Sequence, residues 1–284
     1  MKEKLPNFLI VGAAKCGTSS LHNYLNQHKD VFMPTYNSDR LKVKEPRFLI
    51  AEKVKHRLSK GIWNYEDYKS LFTDVDNEKA IGESTVLYLY YFEEAIKNIK
   101  MFLGDEVKII IMLRNPIERA YSAYLFASRT LQENQSFEEA INNAARRFKE
   151  DSSLSPMVLY KELGLYYKMV KAYQENFKNI HIILYDDFVS QTSEEVDKVF
   201  KFLGIIKQDV DTNKIVNAGG MKWDSKFMKD ILMGKGAFKY IFKKIIPKPY
   251  RVKVKKILTD RFTSKSDEIN EKAYLELLKY FQED

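Results

Sequence analysis

Two hydrophobic rhythms divide this chain. Continuous apolar runs predict strands at 7–12, near 31–33, at 79–83, 107–113 and 180–185, the lengths and compositions of strands buried on both faces of a sheet. Between them, apolar residues recur at helical spacing and predict helices at 18–28, 65–72, 88–103, 116–130 and 156–177. Ser136-x-x-Glu139 and Thr192-x-x-Glu195 read as capping boxes, the second opening a helix over 193–203. A last helix near 268–281 carries Leu275, Leu278 and Phe281. Strands alternating with helices imply right-handed crossovers and a parallel sheet, whose ligands bind beyond the carboxyl ends of the strands. The predicted class is α/β: a P-loop-type parallel sheet flanked by helices. We read one domain over residues 5–284, with a core at 5–204 and a basic, helical C-terminal part at 222–284.

Composition narrows the picture without deciding it. Hydrophobic content of 45% and charged content of 30% are those of a globular protein. A single cysteine, Cys16, excludes an internal disulfide framework and favours a reducing compartment. Met1-Lys2-Glu3-Lys4 leads directly into the first strand with no signal-peptide pattern, and no apolar run is long enough for a membrane span, so a cytoplasmic protein is expected. Four histidines, at 22, 28, 56 and 181, have no metal-ligand spacing, and no metal is expected.

Charge is unevenly placed. Residues 222–256 hold twelve Lys or Arg against Asp224 and Asp230, a local balance of +10 in a chain of net +8. Three readings stay open: peripheral contact with an anionic membrane, a grip on a polyanionic glycan, or a solvated basic face. No recognition motif accompanies the charge, so nucleic acid is not an expected partner.

Chemistry concentrates in Val11-Gly12-Ala13-Ala14-Lys15-Cys16-Gly17-Thr18-Ser19-Ser20. An apolar strand, a small-residue turn and a helix start present backbone N–H groups to a phosphate. In the nucleoside-triphosphate loop the lysine follows the last glycine. Here Lys15 lies two residues before Gly17, and this order resembles the 5′-phosphosulfate loop of sulfotransferases that use 3′-phosphoadenylyl sulfate (PAPS). A second motif, Arg114-Asn115-Pro116-x-x-Arg119-Ala120-x-Ser122, closes the strand at 107–113 and opens a helix with proline in its first turn. It is similar to the segment that binds the 3′-phosphate in that family, with Arg114 offering a planar fork and Ser122 a hydroxyl.

The resemblance runs from Leu5 to about Leu203. Lys44-Glu45-Pro46-Arg47-Phe48 resembles the segment carrying the acceptor-side base in heparan-type and many bacterial sulfotransferases. Gly82-Glu83-Ser84-Thr85 resembles the stretch before the substrate helix, and Gly164-Leu165-Tyr166 a helix start near the nucleotide. Two departures stand out. Ser84 occupies a position where some heparan-type relatives carry lysine, and no clear lysine-glycine-arginine cover loop follows the late helix. Its nearest counterpart is Asn217 to Lys222, with Gly220 and Lys222 as candidate nucleotide contacts.

The resemblance implies sulfuryl transfer from PAPS to a hydroxyl or amine, with a glycan or glycolipid as the expected acceptor. Lys15 would stabilise charge on the bridging oxygen and Glu45 would take the acceptor proton, with Glu83 in reserve. Lys15, Cys16, Gly17, Thr18, Ser19, Ser20, Arg114, Ser122, Tyr166, Gly220 and Lys222 would hold the nucleotide. Cys16 reads as a small turn residue rather than a nucleophile. The rival is a P-loop phosphotransferase using a nucleoside triphosphate. It is supported by the apolar strand Ile182 to Tyr185 ending in Asp186, and opposed by the missing Gly-Lys-Ser/Thr and by an arginine closing strand 107–113.

Overall fold

A computed structural model describes residues 4–35, 43–130, 132–213, 220–225, 250, 254, 257–259 and 261–284. Five parallel strands, β1 (Phe8–Gly12), β2 (Val31–Phe32), β3 (Ala80–Ser84), β4 (Lys108–Leu113) and β5 (Ile180–Leu184), form one sheet in the order β2-β3-β1-β4-β5. β1 lies at the centre, with Phe8 opposite both Gly82 and Lys108. All five β1 residues are buried, as are Ile109 to Met112 of β4, which accounts for their unbroken apolar sequence. The predicted α/β class is the observed one.

Around the sheet lie α1 (Thr18–Leu25), α2 (Ala51–Val54), α3 (Tyr65–Ser70), α4 (Phe92–Phe102), α5 (Pro116–Arg129), α6 (Phe137–Glu150), α7 (Tyr166–Asn176), α8 (Tyr185–Ser190) and α9 (Thr192–Leu203). A last helix, α10 (Glu271–Phe281), joins a second apolar cluster in which Ala273 and Leu277 pack with Ile117, Ala120, Phe137 and Ile141. A separate two-stranded antiparallel sheet, β6 (Met221–Trp223) and β7 (Thr263–Lys265), lies against α5 through β6.

Three predicted elements differ, each for a local reason. The helix expected from 88 begins at Phe92, because the Thr85 and Leu89 N–H groups donate to the Ile10 and Val11 carbonyls and hold the segment across the end of β1. The helix expected over 156–177 is split into two single 3₁₀ turns at Pro156–Val158 and Glu162–Gly164, followed by α7. Ser155 caps the first turn, and the Asp284 carboxylate accepts the Tyr166 and Tyr167 N–H groups that open α7. The Ser136–Glu139 capping box forms in both directions. The Thr192–Glu195 box does not: α8 ends just before α9, Thr192 Oγ1 donates back to the Phe188 carbonyl, and Glu195 pairs with Lys198. Most of the basic segment 222–256, and Asn217 to Gly219 of the expected cover loop, lie outside the described residues.

Candidate active site

The small-residue turn between β1 and α1 follows from two steric facts. A Cβ on Gly12 would lie 2.6 Å from Leu89 Cβ, and Gly17 takes φ 87° with the Phe188 ring 3.2 Å from where its Cβ would be. Lys15 adopts φ 71°, a left-handed backbone unusual for a non-glycine residue and characteristic of functional turns. Gly17 is the N-cap of α1. It brings no side chain to the helix's first N–H groups, and no acid sits in the first turn, so this end of α1 suits an anion. Thr18 and Ser20 are buried at the helix start. Cys16 is fully buried, its Sγ 3.7 Å from the Ala14 carbonyl, and burial pushes its thiol up to about 11. That is the environment of a structural thiol rather than a nucleophile.

Lys15 and Ser122, predicted from separate motifs, line one cleft with Leu125, Phe126, Arg129, Gly220 and Met221. The Lys15 ammonium lies 4.5 Å from the centre of the Phe126 ring. Burial first, then the charges of Arg129 and Arg114, lower its pKa to about 8. The start of β6 brings Gly220, at φ 78°, and Met221 to the cleft, and the Trp223 indole N–H donates to the Arg129 carbonyl at 3.1 Å. Lys222 is not among the residues lining the cleft; Asp267 holds it at 2.6 Å.

Arg114 sits where β4 passes into α5, next to the end of β1. Asn115 caps α5 by accepting from the Ile117 and Glu118 N–H groups, with Pro116 in the first turn. Arg114 does not stand alone. It donates to Glu118 Oε2 through Nε at 3.1 Å and Nη2 at 2.8 Å, and its guanidinium stacks 4.4 Å from the centre of the Tyr185 ring. Tyr166 lies beneath the loop, its hydroxyl 3.9 Å from Cys16 Sγ, and it lines a second groove with Leu113, Pro116, Phe281 and Asp284.

The acceptor-side candidates form a separate cluster at the end of β3. Glu45 is paired twice, with Arg47 at 3.1 Å and Lys44 at 3.5 Å, and its side chain is 20% exposed. The Arg47 N–H donates to Thr85 Oγ1, which fastens the Glu45 loop beside β3. Glu83 is fully buried and neither carboxylate oxygen closes a well-formed hydrogen bond. Burial pushes its pKa up to about 8; the Tyr88 and Tyr68 hydroxyls hold the shift back, and Glu45 adds to it. His28 is structural: Nε2 meets the Ile206 carbonyl at 2.8 Å and Nδ1 accepts from the Asp30 N–H.

Three residues of α5 were given no role by the sequence reading, although Arg119 lies within its second motif. Arg119 is fully buried, donates through Nη2 to the Tyr160 carbonyl and leaves Nε and Nη1 unpartnered. Phe126 and Arg129 flank Lys15. The spacing of Ser122, Phe126 and Arg129 places them on one helix face, so the sequence did carry the signal that groups them.

Comparison with known proteins identifies the family. A family model described as a sulfotransferase domain matches residues 5–222. Among solved structures, a sulfotransferase from Alicyclobacillus acidocaldarius is 33% identical with a TM-score of 0.66, over 75% of this chain and 87% of that one. Carbohydrate sulfotransferase 15 of Rattus norvegicus is 25% identical, over 71% of this chain and 44% of its own length. The bifunctional heparan sulfate N-deacetylase/N-sulfotransferase 3 of Homo sapiens is 28% identical, over 72% of this chain and 23% of its own length. The chain thus spans less than half the length of these two curated relatives.

Proposed function

Because the chain belongs to the sulfotransferase domain family, we propose that it moves a sulfuryl group from PAPS to a hydroxyl or amine of a carbohydrate acceptor. The observation that carries this reading is that Lys15, in the turn that leads into α1, and Ser122 of α5 line one cleft. The loop N–H groups and the hydroxyls of Thr18 and Ser19 would bind the 5′-phosphate. Arg114 would bind the 3′-phosphate after exchanging its contact with Glu118.

In-line displacement then asks for positioning and electrostatics rather than a covalent partner. The acceptor oxygen or nitrogen bonds to sulfur as the bond from sulfur to the bridging oxygen breaks. Adenosine 3′,5′-bisphosphate leaves with that electron pair, and the acceptor proton passes to a carboxylate. Lys15 faces the charge that grows on the bridging oxygen. Glu45 is the proposed proton acceptor, since it is a partly exposed carboxylate on the loop fastened beside β3, and Glu83 is the reserve.

Two observations disfavour a phosphotransferase. β4 ends in Arg114 rather than an acid, and Asp186 falls in the first turn of α8 instead of closing a strand. A carbohydrate acceptor is supported by the carbohydrate and heparan relatives. Among the described residues no helix is long and apolar enough to cross a membrane. Placement in the cytoplasm, against an anionic membrane surface through the basic segment 222–256, remains part of the proposal, supported by that segment's charge. The test is calorimetric binding of adenosine 3′,5′-bisphosphate without magnesium, followed by turnover of labelled PAPS against sugar, lipid and phenol acceptors. Binding and turnover on sugars support the reading. A requirement for magnesium and a nucleoside triphosphate would overturn it.

A further inference from the structure

Two cations lie close to one aromatic ring beside Ser122: Lys15 and Arg129 both approach Phe126. The Lys15 ammonium is 4.5 Å and the Arg129 guanidinium carbon 5.9 Å from the centre of the Phe126 ring. Arg47, Arg114, Arg146 and Arg147 each hold a carboxylate, at 3.1, 2.8, 2.7 and 2.9 Å. Among the described residues, none of the ion pairs involves Lys15 or Arg129. Their positions are also held. The Trp223 indole N–H fastens the Arg129 carbonyl, and Lys15 is fixed by the turn between β1 and α1. Two like charges close together, with no ion-paired carboxylate among the described residues, repel each other, and an anion bound by both would offset that cost.

The order of cations along α5 identifies that anion. Arg114 stands at the start of the helix, Ser122 two turns on, the Lys15 ammonium at the level of Phe126, and Arg129 in the last turn. At 1.5 Å per residue, Arg129 lies roughly 10 Å beyond Ser122, away from Arg114. PAPS presents its anions in the same sequence: the 3′-phosphate, the 5′-phosphate and, furthest out, the sulfonate.

Resting on the donor assignment above, we propose that Arg129 binds the non-bridging oxygens of the PAPS sulfonate, opposite Lys15. Its planar fork suits two oxygens of one anionic group, and it stays protonated throughout. Arg129 therefore orients the sulfuryl group for in-line attack and takes no part in proton transfer. Lys15 keeps the bridging oxygen, where the charge of the leaving nucleotide develops.

The test compares PAPS with adenosine 3′,5′-bisphosphate by calorimetry without acceptor, in the wild type, Arg129→Gln and Arg129→Lys. The two ligands differ only in the sulfonate. Loss of a charge-assisted contact in Arg129→Gln should weaken PAPS by about 10- to 150-fold. The bisphosphate should change by less than about threefold, through long-range charge alone. Arg129→Lys should recover part of the PAPS affinity, and thermal unfolding of each unliganded variant controls for folding. An equal loss for both ligands would show that Arg129 holds the nucleotide and overturn the proposal. Unchanged binding of both would overturn it too, and would leave Arg129 to the acceptor. A wild type that binds neither ligand would instead sink the sulfotransferase reading itself.

Discussion

Glu83 offers the sharpest quantitative test of the site's electrostatics. Its carboxyl is fully buried, its oxygens lack well-formed hydrogen bonds, and its pKa rises from the ordinary 4.5 to about 8. A carboxyl raised in the folded state binds a proton more tightly there than in the unfolded chain. Its contribution to stability is therefore complete below about pH 4.5 and is lost as pH rises toward about 8. Each pH unit in that window is worth about 1.4 kcal/mol, so between pH 4.5 and about 7.5 the wild type forfeits about 4 kcal/mol at this group. Glu83→Gln cannot titrate and forfeits none of it. The stability difference between wild type and Glu83→Gln, measured by urea unfolding at intervals from pH 5 to 8, should therefore move steadily in favour of the variant. The total movement should be about 3–4 kcal/mol, and taking the difference cancels all titrations common to both proteins. Parallel profiles across this range would refute the reasoning and show that Glu83 is solvated or hydrogen-bonded in solution. A difference moving the other way would mean that Glu83 is held ionised by a cation.

Five further outcomes follow from the site. Lys15→Ala should lower turnover at saturating donor by about 10²–10³-fold while adenosine 3′,5′-bisphosphate binding changes far less. Because Lys15 acts protonated and loses its proton near pH 8, wild-type kcat/KM for the donor should fall above about pH 8. Arg114→Ala should weaken adenosine 3′,5′-bisphosphate by about 10- to 150-fold, but hardly affect an analogue without the 3′-phosphate. Glu118→Gln, which releases Arg114 from its intrahelical partner, should tighten the bisphosphate in an equilibrium binding assay. Glu45→Gln should cut turnover by about 10²–10⁴-fold with nucleotide binding intact. Near-normal turnover with a collapse in Glu83→Gln would move the base to Glu83, and a loss of both nucleotide binding and thermal stability would mark Glu45 as an ion-pair partner.

What the amino-acid sequence determined by itself is whatever local chemistry decides. The run Phe8 to Val11, the glycines flanking Lys15 and the hydroxyls after them specify strand, turn and helix within one short segment. Arg114-Asn115-Pro116 likewise specifies a strand end and a capped helix start, and Ser136 with Glu139 closes its own box. These features depend on backbone sterics and on partners at most four residues away, so they can be read without a fold. Tertiary structure decided the features whose partners are far apart in sequence. The chain from Thr85 to Leu89 has helical spacing, yet carbonyls of β1 claim its N–H groups. Thr192 has the sequence of a cap, but the end of α8 reaches it first. The Lys15 pKa is lowered by its burial and because the sheet order places β1 beside β4 and so brings Arg129 and Arg114 within its field. Glu83 likewise becomes a proton-holding carboxyl only because β3 is buried on both faces. A residue's identity is local, but its charge state and its neighbours depend on which strands lie side by side, and that is fixed by burial of the whole sheet rather than by any single segment.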